Sequence, residues 1–268
     1  MATKHKPPLG QHFLRSSHGL VNILREAVIE PSDTILEIGP GKGFLTRALI
    51  ETAGKVIAVE KDPFLVAYLN DQFKNAIDEK RLIIINADIR NVDLEKYGIV
   101  DGKFKLVANI PYYITGDLLR LFLGGENKPA RAVLLVQKEV AERIARSKKE
   151  SILSLSIKVY GEPHYVKTVP RGLFNPPPQV DSAILTIMNI SRKQLKNIDE
   201  LFFFTLVKQG FSQKRKLLMG NLRHVVEPDM LSKAFTALAI PEKVRAEDMS
   251  LKTWLELASL LQMRNKNL

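Results

Sequence analysis

Asn109, Pro111 and Tyr112 make up the stretch with the most definite chemistry in the chain. The apolar run Leu106-Val107-Ala108 reads as a buried strand, and it must stop here because Pro111 has no N–H to give a sheet ladder. An Asn oxygen and a rigid backbone carbonyl can each accept a hydrogen bond from an exocyclic NH2, and a tyrosine ring can stack on the base that carries it. The tetrapeptide Asn109-Ile110-Pro111-Tyr112 therefore suits holding a planar base by its amine, adenine N6 and cytosine N4 alike. A strand end followed by an ordinary turn is the other reading of these four residues alone. An adenine N6 is a poor nucleophile because its lone pair is conjugated with the ring. Hydrogen bonds from both amine hydrogens, to Asn109 and to the Pro111 carbonyl, favour a more tetrahedral nitrogen, so catalysis there is positioning and electrostatics without a strong base. Stacking on Tyr112, worth roughly 1–3 kcal/mol, offsets the few kcal/mol of extruding a base.

A second constellation lies upstream. Glu37-Ile38-Gly39-Pro40-Gly41-Lys42-Gly43 follows an apolar strand and precedes a helix, where glycines let backbone approach a ligand closely at a helix N-terminus. Its glycine spacing departs from the dinucleotide fingerprint Gly-x-Gly-x-x-Gly. It resembles instead the Glu-x-Gly-x-Gly-x-Gly loop of S-adenosylmethionine methyltransferases. Glu60 ends the next strand, where a carboxylate can accept both hydroxyls of a ribose. Asp88 and Ile89 follow the third strand: the acid can accept from an adenine amine and the aliphatic chain can pack on the ring. Each acid alone also reads as a helix cap or a solvated charge. Their recurrence at successive strand ends favours a ligand.

The elements that position these groups alternate. Strands are expected over 34–38, 55–59, 82–85, 105–109 and 132–136. Helices are expected over 17–30, 44–52, 62–76, 115–123 and 139–146, with strands again at 165–169 and 183–190. On the first helix Leu20, Ile23, Leu24, Ala27 and Val28 share a face. Continuous apolar strands alternating with helices imply an α/β fold, a parallel sheet covered on both faces, with ligands outside the carboxyl ends of its strands. Beyond a polar linker at 191–197 only helical patterns occur: 199–211, 213–224, 229–238 and 250–263. The expected organisation is a basic arm over 1–15, a ligand-binding domain over 16–190 and a small all-helical domain over 191–268.

The chain has 268 residues, 45% of them hydrophobic, no cysteine and a net charge of +11. Absence of cysteine excludes disulfides and thiolate metal sites; no apolar run is long enough to span a bilayer, and no secretory leader is apparent. A cytoplasmic protein without membrane or metal partners is expected. The basic surplus fits a nucleic-acid partner. It is denser after residue 190, with 14 Lys/Arg against 8 Asp/Glu. Lys214, Arg215, Lys216 and Arg223 group on the second-domain helices, as a solvated face or as phosphate-binding groups.

Seven motifs in order are similar to the ribosomal RNA adenine N6-dimethyltransferases, with their KsgA and Erm branches. They are Gly10-Gln11-His12-Phe13-Leu14, the glycine loop, Glu60, Asn86-Ala87-Asp88, Asn109-Ile110-Pro111-Tyr112, the run 137–143, and the run 169–183 together with Phe211-Ser212-Gln213-Lys214-Arg215-Lys216. The resemblance implies a Rossmann-like methyltransferase sheet with helices on both faces and S-adenosylmethionine as cofactor. It places the cofactor on His12, Leu14, Gly39, Gly41, Glu60, Asp88, Ile89 and Asn109. It places a flipped adenosine on Asn109, Pro111 and Tyr112, with Phe174 closing the other face or serving as plain core. By likeness to the KsgA branch, the expected reaction is dimethylation of two adjacent adenosines near the 3′ end of small-subunit rRNA, by a monomer acting on the immature subunit. Erm-type methylation of a large-subunit adenosine, a mainly non-catalytic assembly role and DNA amino-methylation are the alternatives. The sequence departs from the common pattern at His12, where many members carry Asn, and in the short charged segment Ser147-Lys148-Lys149-Glu150-Ser151.

Overall fold

A computed structural model describes residues 12–110 and 114–265. In chain order its elements are β1 (Phe13–Leu14), α1 (Ser17–Ala27), β2 (Thr34–Ile38), α2 (Phe44–Thr52), β3 (Lys55–Glu60), α3 (Pro63–Gln72), α4 (Lys74–Asp78), β4 (Leu82–Asn86), β5 (Lys105–Asn109), α5 (Thr115–Gly124), β6 (Arg131–Gln137), α6 (Lys138–Ala145), α7 (Ile152–Lys158), β7 (Glu162–Val169), β8 (Phe174–Asn175), β9 (Ser182–Met188), α8 (Glu200–Gly210), α9 (Leu218–Leu222), α10 (Pro228–Ala237) and α11 (Leu251–Asn265).

Seven strands form one sheet in the order β4-β3-β2-β5-β6-β9-β7. β2 to β6 run parallel, but β9 runs antiparallel to β6, with Ser182 opposite Gln137. The sheet is therefore mixed, where apolar continuity alone implied a parallel one. A strand buried on both faces reads the same in either direction. Strand order reverses between β2 and β5, so their carboxyl ends open a crevice, the usual ligand position in a doubly wound sheet. On one face Ile23 and Ala27 of α1 and Leu45 and Leu49 of α2 pack on Ile35, Val107 and Val133. Alternation sends Leu36, Ile38 and Leu106 to the other. α5 buries Leu118, Leu119, Phe122 and Leu123, with Phe122 edge-on to Phe104 at 6.4 Å.

Local chemistry sets several boundaries. Asp62 caps α3 by accepting from the Phe64 N–H at 2.9 Å, with Pro63 at the first position. The helix expected to continue to residue 76 breaks at Phe73 and restarts as α4. α1 stops earlier than its apolar pattern suggests: Val28 is its left-handed C-cap and is 54% exposed, off the buried face. Arg131 donates to the Glu26 carbonyl and Lys105 to that of Val28, so two cations meet this helix C-terminus.

The chain divides into two compact units. One holds the residues through Ala141 with Pro163–Ile190, the other Glu142–Glu162 with the chain from Ser191 onward. The second unit thus takes in the short helix α7, for which the sequence pattern suggests no element. Ser151 and Ser154 form a reciprocal capping box there, and Lys158 pairs with Glu150 at 2.6 Å. In this unit Trp254 is fully buried and stacks on Phe211 at 6.1 Å. Asn221 donates to the carbonyls of Gly210 at 2.6 Å and Gln213 at 3.2 Å, fixing a turn over 212–217. That turn replaces most of the helix expected over 213–224; only Leu218–Leu222 is α-helical.

Candidate active site

The glycine loop and Glu60 are one hydrogen-bonded unit. Gly39, Gly41 and Gly43 all have positive φ. At Gly41 a side chain is excluded twice, by φ +58° and by the Phe13 ring, which lies 2.5 Å from where a Cβ would stand. The Gly41 N–H donates to Glu60 Oε2 at 3.1 Å, while those of Lys61 and Asp62 donate to Oε1 at 2.9 and 3.0 Å. A carboxylate offers about four acceptor positions, so three backbone donors fix Glu60 and leave room for a ligand hydroxyl. Burial raises the Glu60 carboxyl above its ordinary value, and the three amides oppose that rise.

Asp88 stands just past the end of β4 and caps the turn Ile89–Asn91. Its carboxylate takes Nε of Arg90 at 2.9 Å, Nη2 at 2.6 Å and the Lys61 ammonium at 3.2 Å. The Arg90 hydrogen bonds hold it far below the usual carboxylate range. A ligand amine reaching Asp88 must share it with these cations. Ile89 is buried.

Asn109, at the carboxyl end of β5, is tied to a strap from the N-terminal side. β1 pairs antiparallel with β8, Phe13 opposite Asn175 and Leu14 opposite Phe174, and the Arg15 N–H donates to the Leu173 carbonyl. His12 Nδ1 lies 2.9 Å from the Pro176 carbonyl oxygen, which requires that nitrogen to carry its proton. The His12 carbonyl in turn accepts from Asn109 Nδ2 at 2.9 Å. This bond assigns the two ends of the amide: NH2 faces the strap and the oxygen turns away from it. Leu14 and Phe174 both sit in the core cluster, Phe174 only 5% exposed. The Phe174 ring is thus buried in that cluster, with its backbone opposite Leu14 in the β1–β8 pairing. Pro111 and Tyr112 lie outside the described residues, as does the arm before His12.

A cavity of about 300 Å³ opens at the strand-order reversal, lined among others by Phe13, Leu14, Gly39, Asn109 and Glu37. Arg15, Lys42 and Arg47 also line it and make it basic. Glu37 is 1% exposed. Burial pushes its carboxyl up to about 8; Thr46 on α2 opposes this and Glu60 adds to it. Thr46 does not close a hydrogen bond of good geometry: Glu37 Oε2 and Thr46 Oγ1 are both buried without a partner among the described residues. Sequence reasoning places Glu37 within its motif and gives it no role. The available signal is an acid between the apolar Leu36 and Ile38 of a buried strand. The cavity brings together Leu14, Gly39 and Asn109 of the expected cofactor residues; Gly41, Glu60, Asp88 and Ile89 are not among its lining residues.

Lys214, Arg215 and Lys216 lie in the 212–217 turn and Arg223 at the C-cap of α9, all in the second unit. They sit on turn and cap positions, off the helical faces expected for them, because Asn221 holds the backbone bent. Lys214, Arg215 and Arg223 are exposed. Among the described residues there is no cluster of metal-ligating side chains and no helix long and apolar enough to cross a membrane.

A family model described as ribosomal RNA adenine dimethylase matches residues 2–263. Ribosomal RNA small subunit methyltransferase A of Dehalococcoides mccartyi (strain CBDB1) is 41% identical over 258 residues, 95% of this chain and 87% of that protein. The crystal structure of a dimethyladenosine transferase from Plasmodium falciparum is similar with a TM-score of 0.76 and 27% identity, covering 96% of this chain and 99% of that one. The 23S rRNA methyltransferase ErmE shares the fold with a TM-score of 0.72 at 24% identity, covering 93% and 99%.

Proposed function

Because the chain belongs to the ribosomal RNA adenine dimethylase family, we propose that it dimethylates N6 of two adjacent adenosines near the 3′ end of small-subunit rRNA, with S-adenosylmethionine as donor. The observation that carries this reading is the juxtaposition at the reversal of strand order: an amide-bearing strand end, Asn109, beside a glycine loop and a 300 Å³ cavity. When bound, S-adenosylmethionine supplies an electrophilic methyl on a sulfonium. Glu60 accepts from the ribose hydroxyls, Asp88 and Ile89 hold the adenine, and Gly39 and Gly41 let the backbone lie against the donor. His12 and Leu14 close the strap over it. Asn109 Oδ1 and the Pro111 carbonyl accept the two hydrogens of the target amine, and Tyr112 stacks on its ring. Transfer would form the N–CH3 bond as the sulfonium S–CH3 bond breaks, its electron pair returning to sulfur to leave a neutral thioether; the nitrogen would then lose one proton to solvent, so no strong base is needed.

The small-subunit target is supported by the 41% identical relative, whose name specifies that subunit. The likeness to ErmE is one of fold and does not argue for a large-subunit target. The helical unit from Ser191, with Lys214, Arg215, Lys216 and Arg223, holds RNA through phosphates; phosphates set affinity and register while RNA shape selects the site. The protein acts as a monomer in the cytoplasm, on subunits under assembly. The test is a methyl-transfer assay with labelled donor on unmodified small subunits, large-subunit RNA and duplex DNA. Transfer to the small subunit alone is expected. Preference for either other substrate overturns the reading, and binding without transfer to any of them leaves an assembly factor.

A further inference from the structure

A carboxylate offers about four acceptor positions, and Arg90 with Lys61 supplies that many donors to Asp88. Oδ1 takes the Arg90 N–H at 3.1 Å and Nε at 2.9 Å; Oδ2 takes Arg90 Nη2 at 2.6 Å and Lys61 Nζ at 3.2 Å. The four are not equally held. The Arg90 N–H belongs to the turn that Asp88 caps, and its guanidinium grips both oxygens as a fork. The fourth donor is a single ammonium on a side chain that is 72% exposed. An exposed lysine pair is weak and a bidentate arginine pair is not, so Lys61 is the donor that leaves most readily.

Lys61 is held by its backbone. Its N–H donates to Glu60 Oε1 at 2.9 Å, and its carbonyl accepts from Asn86 Nδ2 at 3.2 Å. The side chain thus starts beside one carboxylate, Glu60, and ends on another, Asp88. A nucleoside with its ribose on Glu60 and its base on Asp88 bridges the same two groups.

We propose that Lys61 occupies the Asp88 acceptor position that the donor's adenine amine needs, and that the amine enters by displacing the Lys61 ammonium while Arg90 stays. The inference rests on the reading of Asp88 as the adenine acceptor. Exchange needs only rotation of an exposed side chain, because the hydrogen bonds that hold the Lys61 backbone do not involve its ammonium. Asp88 stays ionised throughout, since the Arg90 hydrogen bonds hold it far below the usual carboxylate range. The consequence is self-competition. An adenine nucleoside breaks one ion pair in order to bind, and its affinity is lowered by the fraction of protein in which Lys61 is seated. A purine without the 6-amino group brings no donor to Asp88 and leaves Lys61 in place.

The test is equilibrium binding of adenosine and of purine riboside, the same nucleoside without its amino group, to the whole protein and to its Lys61→Met and Asp88→Ala variants. Both ligands are uncharged, so the loss of a charge near the site acts on them alike except through the amine. Methionine keeps an aliphatic stem and removes the ammonium. Lys61→Met should bind adenosine about two- to fivefold more tightly than wild type, with purine riboside unchanged. Asp88→Ala should weaken adenosine alone. Any other response of the two nucleosides to Lys61→Met, with Asp88→Ala behaving as expected, overturns the displacement and leaves Asp88 standing as the adenine acceptor. An Asp88→Ala protein that shifts both nucleosides alike, or neither, overturns both.

Discussion

The side-chain amide of Asn109 donates to the backbone carbonyl of His12 at 2.9 Å, across 97 positions of sequence. The strap therefore does more than line the cavity: it holds the amide NH2 and turns Oδ1 away from itself, the end that the proposed reaction assigns to the target amine. Two substitutions separate these roles. Asn109→Ala removes both ends and should lower the methyl-transfer rate by about 10²-fold or more, with the fold preserved. Asn109→Asp keeps an acceptor but loses the N–H that holds it against the strap, so it should lose activity on a similar scale. Single-turnover rates of the two variants check this, and near-wild-type turnover by either contradicts the orientation argument.

Gly43, the N-cap of α2, tests the loop as structure. Its φ is +75°, and an added Cβ would stand 2.4 Å from the Phe73 ring and 2.9 Å from Leu69. Gly43→Ala should cost about 2–4 kcal/mol of stability, from left-handed strain together with overpacking. Denaturant unfolding measures it; an unchanged midpoint contradicts the packing described for this turn.

Much of this architecture is readable from residues. α2 begins and ends where the glycines and the apolar period say, and Asp62-Pro63 marks the start of α3. What escaped is non-local or directional. A two-residue strand such as Phe13–Leu14 has no period to detect, and its partner lies at Phe174–Asn175. Strand direction is not encoded in an apolar run, so β9 gave no sign of running against β6. Lys214, Arg215 and Lys216 are good helix formers, yet Asn221 bends the backbone into a turn around them. The charges of 147–151 masked the serine box that starts α7. At the site, the acids at the strand ends were visible as acids. That Glu60 is held by three amides and Asp88 by Arg90, while Glu37 Oε2 has no hydrogen-bond partner among the described residues, depends on neighbours that only the fold supplies.

The raised Glu37 carboxyl makes the stability of the unliganded protein depend on pH. Between its ordinary value of 4.5 and its native value of about 8, the native state holds a proton that the unfolded chain has released. Native stability is then full below 4.5 and falls as pH rises through this window, by up to a few kcal/mol. Melting temperatures of wild type and Glu37→Gln from pH 5 to 8 check this. The wild type should lose stability relative to the variant as pH rises; parallel curves count against a buried, unpaired acid.

Lys214, Arg215 and Arg223 are exposed, so removing them should spare the fold and weaken RNA binding. Each phosphate left without its cation should reduce the slope of log affinity against log salt by about 0.7 for single-stranded RNA. The triple alanine variant is expected to bind more weakly at low salt, with a slope shallower by about 2. A wild-type affinity that ignores salt sinks the phosphate-binding role.

The most direct measurement is the identity and position of the modified nucleoside. Unmodified small subunits are incubated with the protein and S-adenosylmethionine, the RNA is digested, and the methylated nucleosides are identified and mapped by mass spectrometry. The account predicts N6,N6-dimethyladenosine at two adjacent positions near the 3′ end, absent when Asn109→Ala replaces the wild type. Methylation at any atom other than an adenine N6, or none on the small-subunit RNA, contradicts it.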